Sequence, residues 1–168
     1  LWSWGDPGDY GTGGRNLSKS PSSPWTQYSS PIQVGTDTTW SQLSQSNSAC
    51  WAIKTDGTLW SWGMSSNGQL GQNDYNYPGS APYNPRSKSS PVQIGTDTTW
   101  SALAHGCAGS MYALKSDNTL WAWGNNSSGK LGLNQSSGRR SSPTQVSGTT
   151  WGQVEVIGYD SITALKLV

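Results

Sequence analysis

Titratable side chains that could perform acid–base or nucleophilic chemistry are few in this sequence. His105 is the single histidine, so any Ser-His-Asp set would have to be built around one residue. Asp56 and Asp117 each precede a glycine or an asparagine, and Asp37 and Asp97 lie in identical Gly-Thr-Asp-Thr-Thr stretches. Turn formation and capping of backbone N–H groups account for all four carboxylates. The sequence therefore predicts no catalytic residue and no enzyme.

Metal and cofactor ligands are equally sparse. Cys50 and Cys107 are the two cysteines, and no metal-ligand spacing accompanies them. Two small buried residues are the default prediction for this pair, with a disulfide between them as the less favoured alternative. Asp6, Asp9 and Asp74 are isolated loop carboxylates and lack the several oxygen ligands that calcium requires. We expect neither a metal nor a cofactor.

The composition narrows the class of protein and of partner. The chain has 168 residues, of which 11% are charged, with 21 glycines and a formal charge of +1. Low charge with abundant Gly, Ser, Thr and Asn favours strands and turns over helices. A charge near zero gives no field to attract nucleic acid or an anionic membrane. No stretch approaches the ~20 apolar residues that span a bilayer. We expect no nucleic-acid partner and no membrane insertion.

Three sequence blocks recur in the same order along the chain, and such periodicity is the signature of repeat architectures. The first block is Leu-Trp-Ser/Ala-Trp-Gly, the second runs from a Ser-Pro pair to a tryptophan, and the third is Ala-Ile/Leu-Lys. The copies of these blocks are 1–5, 59–63 and 120–124; 30–40, 90–100 and 142–151; and 52–54, 113–115 and 164–166. We interpret residues 1–58, 59–119 and 120–168 as three repeat units of one domain or of a segment of it.

Each repeat unit is predicted to hold four short strands. The first complete set of four strands has strand one near 31–34, strand two after Trp40, strand three at 49–54 and strand four at 59–62, where the second unit begins. The Asp56-Gly57 pair predicts a two-residue hairpin turn between strands three and four.

The alternation of side chains in strand four predicts a sheet that is apolar on both faces. Trp60 and Trp62 should share one face, and Leu59 and Ser61 the other. Such a sheet must be covered on both sides, and copies of the sheet stacked around an axis achieve this. The fold class is therefore all-β, with propeller blades of four antiparallel strands. We predict structural roles for the repeated tryptophans and glycines of strand four: Trp2, Trp4, Gly5, Trp60, Trp62, Gly63, Trp121, Trp123 and Gly124.

Three units are fewer than the roughly four to eight blades of a closed propeller. The remaining blades could belong to the same polypeptide, or symmetry copies could close a ring together. An open arc would leave two apolar faces in water. We favour an excerpt of a longer polypeptide over a ring of copies.

The repeat also resembles a known family. The stretches 56–63 and 67–71, and again 117–124 and 129–132, resemble the signature of the regulator of chromosome condensation repeat family. The resemblance implies a propeller, usually seven-bladed, whose blade boundaries are offset from the sequence repeats. The first unit departs from the pattern, because Gly11-Thr12-Gly13-Gly14 replaces Gly-Gln-Leu-Gly.

The units differ most between strand four and the next strand one, at 5–30, 63–90 and 124–142. Tyr, Ser, Gly and Asn on a rigid β scaffold suit adaptable contacts with a protein or a glycan. Packing of these loops onto the propeller is the alternative explanation. The candidate partner-binding residues are Tyr10, Trp25, Tyr28, Tyr75, Tyr77, Tyr83, Arg86, Arg139 and Arg140.

The sequence favours a non-catalytic scaffold or binding module of a phage virion or a bacterial surface assembly. Low charge, short polar motifs and the absence of phenylalanine support an extracellular or virion location. Two alternatives follow from the resemblance: a regulator that promotes nucleotide exchange on a small GTPase, and a propeller that caps and inhibits an enzyme.

Overall fold

The computed structural model describes residues 1–6, 10–16, 27–46, 48–74, 86–104, 109–157 and 161–167. These residues form strands almost throughout, and their helical content is a single 3₁₀ turn at Ser127–Gly129. None of their helices is long or apolar enough to cross a bilayer. The strands are β1 (Trp2–Gly5), β2 (Tyr28–Gln33), β3 (Trp40–Gln45), β4 (Ala49–Lys54), β5 (Leu59–Gly63), β6 (Lys88–Gln93), β7 (Trp100–Leu103), β8 (Ser110–Lys115), β9 (Leu120–Asn125), β10 (Arg139–Gln145), β11 (Trp151–Ile157) and β12 (Ser161–Lys166).

The strands pair into antiparallel sheets, which confirms the predicted all-β class of propeller blades. Two sheets have four strands, in the orders β3-β4-β5-β6 and β7-β8-β9-β10, and two sheets have two strands, β1-β2 and β11-β12. Each four-stranded sheet takes strands two and three from one unit, and strands four and one from the next. In the first of them, Trp60 of β5 lies opposite Gln93 of β6. Sheet boundaries are thus offset from the sequence repeats.

The hairpin between strands three and four is one residue longer than the sequence predicts. The N–H of Lys54 donates to the carbonyl of Thr58 (3.0 Å), and the N–H of Gly57 donates to the carbonyl of Lys54 (2.9 Å). Three residues therefore lie in the turn. Gly57 is the one member of the turn with positive φ, at 78°, which gives a type of turn that ends in a one-residue bulge. Asp56 remains in ordinary backbone conformation, and its carboxylate accepts the N–H of Thr58 (3.0 Å).

The core lies between successive sheets. One cluster joins Trp51 and Leu59 of the first four-stranded sheet to Met111 and Trp123 of the second. A second cluster covers the opposite face of the latter sheet and includes Tyr112 together with residues of β11 and β12. Sheets with apolar residues on both faces are therefore packed on both sides, as the alternation in strand four predicts.

The faces of strand four follow the predicted alternation. Leu59 and Ser61 are fully buried toward the next sheet, whereas Trp62 belongs to a cluster with Leu1 and Cys50 on the other side. Trp62 and Trp123 are 3% and 0% exposed. Both indole rings are therefore core residues of the described sheets.

The structure differs from the prediction for the first tryptophan pair. Trp2 and Trp4 are 57% and 64% exposed. Their counterparts Trp60 and Trp62 contact Trp40, two strands away in the same sheet, at ring-centroid distances of 5.8 and 6.3 Å. In the described part of the chain, β1 pairs with β2 alone. Among the described residues, none covers Trp2 and Trp4 as the Trp40 ring covers Trp60 and Trp62.

Candidate functional site

The repeat units differ most in the segments that follow strand four. We call these segments the strand-four connections and define them as residues 6–27, 64–87 and 126–138. Each connection leaves its sheet at a glycine with positive φ. A Cβ atom at Gly63 would lie 2.5 Å from the carbonyl oxygen of Ser48, and one at Gly124 would lie 2.2 Å from that of Gly109. These close approaches and the positive φ values fix the point at which the chain turns away from the sheet.

A tight turn follows in every strand-four connection. The turns are closed by equivalent backbone hydrogen bonds of 3.0 Å, from Gly14 to Gly11, from Gly71 to Gly68 and from Gly132 to Gly129. The first turn forms although its sequence departs from Gly-Gln-Leu-Gly. Glycine spacing therefore determines this turn, and the residues between the glycines can vary.

The turn carbonyls join neighbouring sheets. The carbonyl of Gln69 accepts the indole N–H of Trp51 and of Trp123, both at 2.8 Å. The carbonyl of Thr12 accepts the indole N–H of Trp62 at 2.9 Å in the same way. In the third connection, the carbonyl of Lys130 accepts the Tyr112 hydroxyl at 3.0 Å. The first half of each of the first two connections is thus part of an interface between blades, whereas the Lys130 bond joins the third connection to its own sheet.

Beyond the turn, each of the first two connections runs along the outer strand of the following sheet. The N–H of Asn16 donates to the carbonyl of Ser89, and the N–H of Asn73 donates to that of Ser141, both at 2.7 Å. The Ser89 hydroxyl also donates to the Asn16 side-chain oxygen (3.1 Å). In the described half of these connections, the backbone packs against the propeller.

The sequence-predicted partner-binding residues occupy three kinds of environment. Tyr10 lies half-buried in a turn, and Tyr28 opens β2 with the Arg15 guanidinium 4.0 Å above its ring. Arg86 is exposed just before β6. Four further candidates lie outside the described residues: Trp25, Tyr75, Tyr77 and Tyr83.

The basic pair differs from its predicted place in a loop. Arg139 and Arg140 are half-buried and open β10, opposite Asn125 and Gly124. β10 begins at Arg139, before the Ser-Pro block, because β9 extends to Asn125 and pairs with it there. Arg140 donates to the side-chain oxygen of Gln135 and to the carbonyl of Arg139.

The third strand-four connection is described throughout and presents an exposed polar segment. Residues 134–138 are all exposed. The buried amide of Asn126 supports them from within, because its Nδ2 donates to the carbonyls of Gln135 (2.9 Å) and Ser137 (3.1 Å). We call residues 132–138 with Arg139 and Arg140 the rim surface. It is polar, positively charged and held in place by a buried side chain.

Sequence reasoning missed Asn126. Its side-chain oxygen also accepts the N–H of Leu131 (3.0 Å), so one 1%-exposed amide organises the whole connection. Ser65 occupies the matching position after the preceding Trp-Gly pair and is fully buried, with its hydroxyl donating to the carbonyl of Asp74 (3.3 Å). The sequence signal that could have identified Asn126 is a polar residue two positions after Trp-Gly, which is Ser65 in one unit and Asn126 in the next.

A lysine held between two indole rings recurs at the other end of the blades. Lys54 lies 3.7 Å from the Trp60 ring centroid and 4.8 Å from that of Trp40, and it pairs with Asp37 at 2.5 Å. The hydrogen bond from Lys54 and that from the Thr39 hydroxyl hold the pKa of Asp37 well below its usual range.

Lys115 repeats this arrangement between Trp100 and Trp121 and pairs with Asp97. Its hydrogen bond, with that of Thr99, lowers the pKa of Asp97 to about 2. The turn capping predicted for these aspartates is present, since Asp97 accepts the N–H of Thr99 (3.0 Å). The ion pairs were not predicted, and they leave both carboxylates engaged.

Packing accounts for Cys50, one of the remaining candidates for chemistry. Cys50 is a free, buried thiol whose pKa is raised to about 12 by that burial. Cys107 and His105 lie outside the described residues. Within the described ranges, no three His, Cys, Asp or Glu side chains come together as a metal site would require.

Antiparallel four-stranded sheets, stacked through indole-to-carbonyl hydrogen bonds and linked by variable connections, define a β-propeller repeat protein. The chain belongs to the regulator of chromosome condensation (RCC1) repeat family, whose model matches residues 56–113 and 117–156. A search among curated proteins finds no match.

Solved structures share the fold. Human WBSCR16 gives a TM-score of 0.74 at 22% identity, with 98% of this chain and 39% of that chain covered. Prp20p from Saccharomyces cerevisiae gives 0.73 at 15% identity, with 95% and 38% covered. Yeast RCC1 (Prp20) with Kap60 bound gives 0.73 at 17% identity, with 99% and 38% covered. The chain therefore spans about two fifths of the length of each of these proteins.

Proposed function

We propose that this chain is a non-catalytic propeller module that binds a protein partner through its strand-four connections. The observation that carries the proposal is the rim surface, where Asn126 holds an exposed polar segment beside two arginines. A surface fixed before binding loses little conformational entropy when a partner arrives.

Repeated and variable residues have different roles in the structure, and this difference supports the proposal. Among the repeated tryptophans, Trp62 and Trp123 donate to backbone carbonyls of the connections, and Trp60 and Trp121 lie over a lysine, so these four are committed to the scaffold. Variable residues such as Gln135, Ser136 and Ser137 lie exposed on that scaffold. Binding residues commonly lie on loops that a rigid framework positions.

Binding is tested by capture. Purified chain would be immobilised and incubated with a solubilised bacterial envelope fraction and, separately, with an array of glycans. Replacing Gln135, Ser136 and Ser137 by Ala should abolish protein capture and leave the unfolding midpoint within error. The matched control is Thr96→Ala with Thr149→Ala, two exposed threonines in the connections between strands one and two. Equal capture by both variants would exclude the rim surface, and capture on the glycan array alone would change the class of partner.

We place the module on a phage virion or a bacterial surface. Support comes from composition, because 11% of the residues are charged, 21 are glycines and none is phenylalanine. We interpret this composition as that of a phage or bacterial surface protein. Mass spectrometry of purified particles and of surface fractions tests the location. Detection only in the intracellular fraction would refute it.

One alternative has support from the comparisons. The structure of Prp20p, which shares this fold, was reported with its binding properties to Gsp1p and histones. A regulator that promotes nucleotide exchange on a small GTPase is therefore the second candidate. Release of a fluorescent guanine nucleotide from a panel of small GTPases tests it, and acceleration by this chain would rank exchange above the binding-module proposal.

A further inference from the structure

The guanidinium of Arg15 is a buried cation that lacks a hydrogen-bond acceptor in the described part of the chain. Arg15 follows the tight turn of the first strand-four connection, and its guanidinium carbon lies 4.0 Å from the centre of the Tyr28 ring. Among the described residues, none accepts a hydrogen bond from its three buried nitrogens. Burial of a charged group is unfavourable unless the group is paired and hydrogen-bonded. The cation–π contact offsets part of this cost and leaves the N–H donors unused.

The other two repeat units have a neutral residue at this position. Gln72 follows the second turn, and its Nε2 donates to the carbonyls of Val92 (3.2 Å) and Gln93 (3.1 Å) in β6. Leu133 follows the third turn and packs against an apolar cluster. Both residues are therefore satisfied by contacts within the scaffold. Because the arginine is specific to one unit, the packing of the blades does not require its charge.

The sequence on either side of Arg15 supplies no carboxylate to neutralise it. Residues 10–36, which include all of β2, contain no Asp or Glu, and neither do residues 75–96, which include all of β6. The two stretches meet where the N–H of Asn16 donates to the carbonyl of Ser89 (2.7 Å). An anion that pairs with Arg15 must therefore come from outside these two stretches.

Arg15 borders a cavity of about 580 Å³ whose lining includes residues of the first connection, β2 and β6. Among the described residues, none from β1 lines it. The charged lining residues are two cations, Arg15 and Lys54, and one anion, Asp37, which gives a net charge of +1. Lys54 and Asp37 form an ion pair, so the uncompensated charge is that of Arg15. Cavities of roughly 300–1,000 Å³ hold small organic ligands.

The remaining lining combines aromatic surface with neutral hydrogen-bonding groups. Tyr28 and Trp60 contribute aromatic rings, and Asn16, Gln33 and Ser90 contribute amides and a hydroxyl. Ligand sites are commonly apolar cavities with a few polar groups that fix the orientation of the ligand. This lining therefore fits an organic molecule with both a carboxylate and hydroxyl groups better than it fits an inorganic anion.

We propose that this cavity binds a small hydroxylated carboxylate, the chemistry of a sugar acid, and that Arg15 holds the carboxylate. A planar guanidinium matches a carboxylate through two parallel N–H···O hydrogen bonds. The amides and the Ser90 hydroxyl pair with the hydroxyl groups of the ligand. The cavity shares no residue with the rim surface, so this site is independent of the protein binding proposed there.

Titration of the 168-residue chain with glucuronate tests the site. Calorimetry should show saturable binding, and the NMR resonances of the Arg15 Nε–H and of the backbone amides at 14–16 should shift. Glucose lacks the carboxylate and acetate lacks the hydroxyl groups, so each should bind at least about tenfold more weakly. Absence of saturable glucuronate binding, or equal binding of glucose, would overturn the proposal. Tighter binding of a tripeptide with a central aspartate would overturn the assignment to sugar acids and favour a protein ligand.

The variant Arg15→Gln separates ligand binding from a structural role, because the second unit has Gln72 at this position. Glucuronate binding should be lost, and the urea midpoint should stay unchanged or rise because a buried unpaired charge is removed. The matched control is Lys88→Gln, which removes one positive charge of β6 from outside the described lining and should bind glucuronate normally. Retained binding by Arg15→Gln, equal loss in both variants, or a lowered midpoint for Arg15→Gln would each refute the site.

Discussion

The carbonyl oxygen of Gln69 accepts a 2.8 Å hydrogen bond from the indole N–H of Trp123, which belongs to the following sheet. The same oxygen accepts a second 2.8 Å bond from Trp51 of its own sheet. One backbone atom in a strand-four connection therefore joins two blades. A Cβ at Gly71 would lie 3.0 Å from the Trp123 indole nitrogen, so the glycine in the turn admits the ring.

This junction predicts that Trp123 contributes more to stability than its neighbour in the same motif. Trp123→Phe removes a buried hydrogen bond and leaves space in a core cluster, so we expect a loss of about 2–4 kcal/mol in the free energy of unfolding. Trp121→Phe, at a half-buried ring whose indole N–H donates to the Thr119 hydroxyl, should cost about 1 kcal/mol. Urea unfolding followed by circular dichroism measures both, and equal losses would show that the shared carbonyl is unimportant.

The glycine of the Leu-Trp-Ser/Ala-Trp-Gly motif offers a matched comparison along the repeat. Gly5 and Gly124 have φ values of 87° and 98°. A Cβ at Gly5 meets no atom within 4 Å, whereas one at Gly124 lies 2.2 Å from a carbonyl oxygen. Gly5→Ala should therefore cost about 1–2 kcal/mol from backbone strain alone, and Gly124→Ala more than about 3 kcal/mol. Similar unfolding midpoints for the two variants would refute this steric explanation.

Much of the scaffold was predictable because the repeat fixes which residues alternate. The alternation of Trp60 and Trp62 with Leu59 and Ser61 indicates a sheet packed on both faces, and the two four-stranded sheets follow this pattern. The turn at 55–57 was predicted one residue short, because an Asp-Gly pair is compatible with both turn lengths. Only the hydrogen bond from Lys54 to Thr58 distinguishes the two.

The features missed by sequence reasoning depend on distant contacts. Asp37 and Lys54 meet only because β3 and β4 form a hairpin beside the turn that precedes Trp40. Asn126 acts through carbonyls nine and eleven residues later. The exposure of Trp2 depends on which strand lies beside β1, which the local sequence does not state.

Lys54 and Lys115, each held between two indole rings, predict that the stability of the fold depends on pH in the acid range. The pKa of Asp97 is lowered to about 2 by Lys115 and Thr99, and that of Asp37 is lowered by Lys54 and Thr39. A depressed folded-state pKa adds stability above the unfolded value of about 3.9, and this stability is lost as the pH falls toward about 2. Urea midpoints should therefore decrease between pH 4 and 2. Asp97→Asn should weaken that dependence, and an unchanged slope would indicate that the ion pair does not contribute.

The buried amide of Asn126 provides the sharpest test of how the rim surface is held. Asn126→Ala removes a donor to Gln135 and Ser137 and an acceptor for Leu131, so we expect a cost of about 2–3 kcal/mol. Amide hydrogen exchange at 131–138 should accelerate more than exchange in β8. Asn126→Ser, which introduces the residue found at Ser65, should retain part of the protection. If the alanine variant exchanges like the unaltered chain, the connection is held by its backbone alone, and partner capture through a preformed rim surface loses its structural basis.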